Sequence, residues 1–186
     1  MDEKRNKYFF KFKLAGGKWL DNIIEIKADD LDTAEKTAMA DIKNRLNIAF
    51  PGFEIPVDFK HVSEKQNTKM SYLYRDASNF KTQNEIVLKG EITKSQISRI
   101  ITCLDAGEYF IPADVNLDEV RGFSYDSDID HIWFELHDWD FELTDDLPTT
   151  EMTIDRLVEA FEHASEIGWD ENAAEERLRN NYEENE

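Results

Sequence analysis

Three times along the chain, a run of alternating apolar and polar residues is followed by a run with apolar residues every three or four positions. The first such run, Tyr8–Leu14, places apolar side chains at even positions and Lys11 and Lys13 between them. Alternation predicts a strand with one buried face, and the wider spacing predicts a helix. We therefore expect an α+β protein of hairpin–helix (ββα) units, in which helices cover antiparallel sheets on one face.

The first unit is expected to contain two strands, a helix and a further strand. A second strand is predicted over Trp19–Lys27, and a capping box at Asp32–Glu35 opens a helix that ends near Ala49. The alternating residues of Phe53–Phe59 predict another strand. Two prolines border or interrupt that strand, and proline cannot donate a ladder hydrogen bond, so we expect the strand at a sheet edge.

A polar stretch without hydrophobic residues, Ser63–Lys69, separates this unit from the rest of the chain. Such a stretch is typical of a linker. We therefore predict an N-terminal ββα(β) module at residues 1–62, a linker at 63–70 and an acidic α+β domain at 71–186.

The third unit contains a change of parity. Ile132, Phe134 and Leu136 are apolar at even positions, whereas Trp139, Phe141 and Leu143 are apolar at odd positions. One continuous strand would put these sets on opposite faces, so a turn or bulge is expected near His137-Asp138. The second strand would then carry Asp138, Asp140 and Glu142 on its solvent face, with Trp139 in the core.

Three segments of the chain resemble motifs of a known family: Tyr74–Lys81 (YRDASNxK), Gly107–Pro112 (GEYFIP) and Asp130–Trp133 (DHxW). They resemble a family of small uncharacterised bacterial proteins over roughly residues 71–170. The resemblance implies a domain boundary before residue 71 and no assigned activity. Family members often carry a second histidine just after DHxW; here Phe134 stands nearby instead, which argues against a metal or catalytic pair.

Charge is divided unevenly along the chain. Residues 1–100 carry 18 Lys and Arg against 15 Asp and Glu, a net charge of +3, and residues 101–186 carry 4 against 26, a net charge of -22. Nine of these acidic residues and no basic residue lie between Asp126 and Asp146. Local charge asymmetry of this size indicates a charged partner, and a whole-chain charge of -19 repels nucleic acid itself.

These acids predict an inhibitor or decoy that binds a basic nucleic-acid-binding protein, since carboxylates repeated along a strand approach the charge density of DNA phosphates. Anti-restriction and anti-CRISPR proteins of phages and mobile elements, and acidic immunity proteins, are the analogy. We expect no enzymatic activity and no cofactor. The predicted partner-binding residues are Asp126, Asp128, Asp130, Glu135, Asp138, Trp139, Asp140, Glu142, Asp145 and Asp146.

Two alternatives stay open: an interaction or scaffold domain whose acids only keep it in solution, and a metal-dependent enzyme that uses Asp128, Asp130, His131 and His137. The alternating aspartates from Asp126 begin like an EF-hand loop, but histidines occupy the sixth and twelfth positions, where that loop needs Gly and Glu.

The single cysteine, Cys103, lies among aliphatic residues and is expected to be a small buried hydrophobe.

The longest apolar runs span only a few residues, too short for a membrane helix, and the N-terminus lacks the apolar stretch of a secretory signal. We therefore expect a soluble cytoplasmic protein.

Overall fold

The computed structural model describes residues 5–122 and 126–183, which divide into two compact units. The first unit comprises residues up to Gln66 together with Asp145–Leu147, and the second comprises the rest. The described residues form four α-helices and two antiparallel sheets of three and five strands, with helices packed on the sheets. The predicted α+β class is confirmed.

The first unit consists of β1 (Asn6–Leu14), β2 (Ile24–Ala28), α1 (Leu31–Ala49) and β3 (Val57–Val62). The strand order β2-β1-β3 puts β3 at an edge, as the prolines near it predict. Its core brings Phe10 of β1 against Ala34 and Ala38 of α1, because alanines three or four residues apart share one helix face.

Three details of the first unit differ from the sequence prediction, the first being that β3 begins at Val57 instead of Phe53. The N-cap of α1 is Asp30 instead of Asp32, and the Asp30 carboxylate accepts a hydrogen bond from the Thr33 amide (2.7 Å). This hydrogen bond lowers the pKa of Asp30. The strand predicted from Trp19 begins only at Ile24.

The segment Asp145–Leu147 lies with the first unit, although the sequence assigned it to the acidic domain. The Asp145 carboxylate accepts hydrogen bonds from Lys11 and Lys60, and its carbonyl accepts one from the Ser63 amide (2.8 Å). Lys60 also bonds Asp146 (2.7 Å). Two of the predicted partner-binding carboxylates are therefore neutralised by lysines of the first unit.

The second unit begins inside the predicted linker, which is wrong for Asn67–Met70 because these residues start a strand. Its elements are β4 (Asn67–Arg75), β5 (Lys81–Leu88), α2 (Lys94–Cys103), β6 (Tyr109–Phe110), β7 (Phe134–Glu135), β8 (Phe141–Thr144), α3 (Ile154–Ile167) and α4 (Glu171–Glu183). The strand order is β5-β4-β7-β6, and β8 also pairs with β4.

Strands β7 and β8 follow the same edge of β4, with an interruption between them. Leu73 pairs with Glu135 and Met70 pairs with Phe141, so β4 advances three residues while its neighbour advances six. The three extra residues, Asp138–Asp140, form a 3₁₀ turn. Side chains alternate between the two faces of a strand, so the insertion of an odd number of residues changes whether even- or odd-numbered residues face the core. This insertion explains the change of parity.

The predicted interruption near His137-Asp138 is thus confirmed, but two expectations built on it are wrong. Asp138 and Asp140 lie in the 3₁₀ turn and do not share a strand face with Glu142. Trp139 lies in the same turn and is 71% exposed instead of buried, because the turn leads its residues away from the strand.

Helices α2 and α3 cover one face of the second sheet, as predicted. Thr93 opens α2 with a complete capping box, and the Thr153 side chain accepts a hydrogen bond from the first turn of α3. Phe161 of α3 is fully buried against Phe110 of β6. A single core therefore joins both helices to the sheet.

Among residues 5–122 and 126–183, none of the helices has the length and apolar character that crossing a bilayer requires.

Replacing Phe161 by alanine is expected to lower the free energy of unfolding by about 3–5 kcal/mol, because it leaves a cavity among fully buried rings. Ile167→Ala, which removes a side chain that is 70% exposed on the same helix, is the matched control and should change stability by less than about 0.5 kcal/mol. Urea denaturation followed by circular dichroism measures both. Equal losses in the two variants would contradict the assigned core.

The Asp145–lysine cluster predicts a pH-dependent contribution to stability. Burial acts to raise the pKa of Asp145, but the hydrogen bonds from Lys11 and Lys60 outweigh it, so the pKa lies below its ordinary value of 3.8. Stabilisation from the ionised carboxylate is complete above that ordinary value and is lost as the pH falls through the lower folded value. Asp145→Asn should therefore cost about 1–3 kcal/mol at neutral pH, from broken charged hydrogen bonds.

The cost of Asp145→Asn should begin to shrink as the pH falls below 3.8 and be smallest below the lower pKa of the folded state, where the wild-type carboxyl is also neutral. Asp21→Asn, which changes an exposed carboxylate of the same unit, is the control. Urea denaturation at a series of pH values measures the difference in unfolding free energy. A difference that stays constant down to acid pH would show that the charge of Asp145 does not matter.

Candidate functional site

The ten residues that the sequence singles out lie on several different elements of the structure. Six lie in two short segments of the second unit, the loop Asp126–Asp130 and the 3₁₀ turn with Asp138, Trp139 and Asp140. Glu135 and Glu142 lie on β7 and β8, and Asp145 and Asp146 belong to the first unit.

The loop Asp126–Asp130 uses some of its carboxylates to shape itself. Asp126 accepts a hydrogen bond from the Asp128 amide (3.0 Å), and Asp130 accepts one from the Asp126 amide (2.8 Å) and one from the Tyr74 hydroxyl (2.5 Å). Burial, followed by the hydrogen bond to Asp130, raises the pKa of Tyr74. Asp130 is therefore a structural residue, whereas Asp126 and Asp128 are exposed to solvent.

Glu135 and Glu142 are neutralised by basic residues of β4. Glu135 is 8% exposed, and both of its oxygens accept hydrogen bonds from the Arg75 guanidinium (2.7 and 2.9 Å). Glu142 lies directly across the strand pair from Lys69, at 2.8 Å from its ammonium group. Arg75 and Lys69 lie at odd positions of β4, on the face opposite the core, so these ion pairs stabilise the outer face of the sheet.

The 3₁₀ turn displays an aromatic pair. The rings of Trp139 and His137 stack with centroids 4.3 Å apart and an interplanar angle of 12°. A carboxylate lies near each nitrogen of the imidazole: Asp140 is 3.2 Å from Nδ1 and Glu108 is 3.3 Å from Nε2. Asp140 also accepts a hydrogen bond from the His137 amide, which fixes the turn. The imidazole is thus held as a platform under the exposed indole.

A cleft of about 710 Å³ lies between this turn and α2. One wall consists of Ile97 and Ile101 of α2, and the other includes Trp139 and the exposed Asp138. Both isoleucines are only half-buried. The role of Glu108 beside His137 was missed, because the two lie almost thirty residues apart; its only signal was its place in the GEYFIP segment.

A second group of acids missed by the sequence prediction lies on α3: Asp155, Glu159, Glu162 and Glu166. Their spacing of four, three and four residues places them on one helix face. Arg99 of α2 binds Glu162 through two hydrogen bonds (2.7 and 2.8 Å) and lowers the pKa of that carboxyl. Gln96 donates to Asp155 (3.0 Å). The spacing alone could have revealed this acidic face.

The residues proposed as metal ligands do not converge. Among residues 5–122 and 126–180, no three His, Cys, Asp or Glu side chains are grouped closely enough to hold a metal ion. The His131 ring contacts Tyr74 and its Nδ1 accepts a hydrogen bond from the Trp133 amide, whereas His137 stacks on Trp139. Cys103 packs partly buried against the core, where burial raises the pKa of its thiol.

Comparison with protein families, with curated proteins and with solved structures found no match for this chain. The resemblance carried by Tyr74–Lys81, Gly107–Pro112 and Asp130–Trp133 therefore stays a prediction. The function of this protein is therefore inferred from its own residues.

Proposed function

We propose that this protein is a non-enzymatic acidic inhibitor that occupies the nucleic-acid-binding surface of a basic protein through its second unit. The supporting observation is the net negative charge of the second unit, which ion pairs within the unit do not change. The second unit contains 10 Lys and Arg against 27 Asp and Glu, a net charge of -17, whereas the first unit has a net charge of only -2. A positively charged surface is the complement of the second unit.

The carboxylates that a partner would meet are the exposed ones that have no ion pair within residues 5–122 and 126–180. From the predicted set these are Asp126, Asp128 and Asp138. On the helices they include Glu159 and Glu166 of α3 and Glu171 and Glu176 of α4. Glu135, Glu142, Asp145 and Asp146 stay outside the proposed binding surface, because each is paired with Lys or Arg.

The acidic face of α3 has a charge spacing of the same order as nucleic acid. Glu162 is paired with Arg99, so the charges left on this face are those of Asp155, Glu159 and Glu166, about 6 and 10 Å apart at a rise of 1.5 Å per residue. A DNA strand carries one phosphate per about 3.4 Å along the helix axis. A groove that neutralises phosphates with Lys and Arg would therefore meet carboxylates on α3 at about two to three times the phosphate spacing.

Neutralising three exposed carboxylates of the second unit is expected to weaken partner binding. The triple variant Asp138→Asn, Glu159→Gln and Glu166→Gln should lose about tenfold in affinity, at roughly 0.5 kcal/mol for each exposed charge contact. Its binding should also depend less steeply on salt concentration. The matched control, Asp21→Asn, Glu54→Gln and Glu64→Gln, removes the same total charge from exposed positions of the first unit.

The partner for this test is obtained by immobilising the full chain, capturing proteins from a nuclease-treated host lysate and eluting with a salt gradient. We expect a basic nucleic-acid-binding protein whose release requires salt and which duplex DNA displaces. Affinities of the purified partner for wild type and both triple variants are then measured. An equal loss in the two variants, or binding that is indifferent to salt and DNA, would contradict the proposal and favour a scaffold domain.

A further inference from the structure

Trp139 is the most exposed large apolar side chain among the described residues of the second unit. It is 71% exposed, although indole is among the most favourable groups to bury at an interface. One face of its ring is covered by His137, and the stacked pair borders the cleft lined by Ile97 and Ile101. An exposed aromatic ring beside an apolar cleft is typical of a binding site for a side chain of a partner.

The position of this ring is fixed by polar contacts. The His137 amide donates to Asp140 (2.8 Å), and the His137 ring lies between Asp140 and Glu108. The indole rests on this held imidazole, so it loses little conformational entropy when a partner binds. A preorganised aromatic ring contributes more to affinity than one that must first be ordered.

Negative charge surrounds the aromatic pair. Asp138 lines the cleft together with Lys94, and two further carboxylates, Asp140 and Glu108, flank the imidazole on which the indole stacks. The face of an indole ring attracts a cation as well, because its π-electrons are negative there. Carboxylates and the ring thus favour the same kind of ligand.

We propose that the cleft binds an arginine side chain of the cationic partner, with the guanidinium stacked on Trp139 and an adjacent apolar residue of the partner between Ile97 and Ile101. This inference rests on the proposed function and names one contact within it. Arginine fits better than lysine, since its planar group stacks on an aromatic face and can bond a carboxylate such as Asp138 with two N–H groups. Lysine offers only a point charge.

The experiment uses two short amphipathic peptides, acetylated and amidated, that differ in one position. One carries an arginine with leucines three and four residues later on a background of alanine and lysine, and the other carries lysine in place of that arginine. Wild type should bind the arginine peptide about three- to tenfold more tightly, as expected for one stacked, partly desolvated cation–π contact. Isothermal titration calorimetry of the full chain measures both affinities.

Trp139→Ala should abolish the preference for arginine while leaving the affinity for the lysine peptide within about twofold, because cation–π contacts with lysine at exposed sites are weak. Trp139→Phe should keep part of the preference. The control Ile167→Ala, at a comparably exposed apolar position of the same unit, should keep all of it. Because Trp139 is exposed, its replacement does not remove a core contact.

Equal binding of the two peptides by wild type, or a preference that survives Trp139→Ala, would overturn the arginine site. In that case both peptides still bind in a salt-dependent manner through the remaining carboxylates. Failure of the proposed function has a different signature, since neither peptide then binds detectably even at low salt, and the arginine site fails with it.

Discussion

Pairing on both edges of β4 is the constraint on which the second unit depends. On one edge β4 pairs with β5 from Thr68 to Arg75, and on the other it pairs with β7 and β8 in turn. Its even residues Met70, Tyr72 and Tyr74 are buried under α2 and α3, so its odd residues must face outward. The outward positions include Lys69 and Arg75, which determines where the neighbouring glutamates find their partners.

This pairing also explains why the acids between Asp126 and Asp146 are not equivalent. Those on β7 and β8 lie beside bases of β4 and are neutralised, as are Asp145 and Asp146 by lysines of the first unit. Asp126 and Asp128 in the loop and Asp138 in the 3₁₀ turn have no strand opposite them and remain exposed. A run of acids in sequence is therefore divided by the fold into structural and surface groups, and only the surface group can meet a partner.

Local signals predicted much of this fold from the sequence. The caps at Thr93, Thr153 and Asp170 depend on residues within one helical turn, which is why capping residues can be recognised in a sequence. The interruption near His137 was also predictable, since the parity of apolar residues changes there. Such features need no knowledge of distant segments.

Contacts between distant segments were beyond the sequence prediction. The pairs Arg75–Glu135 and Lys60–Asp145 join residues 60 and 85 positions apart, and no spacing rule connects them. The same holds for Glu108 beside His137. Trp139 was assigned to the core from its parity, but the inserted turn that changes the parity also leads Trp139 outward. For the candidate site, therefore, the sequence indicated its sign of charge and several of its residues but not its geometry.

The acidic face of α3 shows how much charge the folded state tolerates without a partner. Like charges four residues apart in a helix destabilise it by roughly 0.2–0.5 kcal/mol each. Arg99 neutralises Glu162, and Gln96 donates a hydrogen bond to Asp155, which keeps its charge. The two members without such a contact, Glu159 and Glu166, are seven residues apart.

At 1.5 Å per residue, those two carboxylates are separated by about 10 Å along the axis, close to the Debye length at physiological salt. Their mutual repulsion is therefore largely screened, and the helix does not require a cationic partner in order to be stable. The exposed carboxylates of the second unit then act mainly at long range. A basic partner would gain a faster, electrostatically steered association more than it would relieve strain in the fold. Arrangements of this kind favour specificity from a few short-range contacts, and the stacked indole of Trp139 is placed to provide one of them.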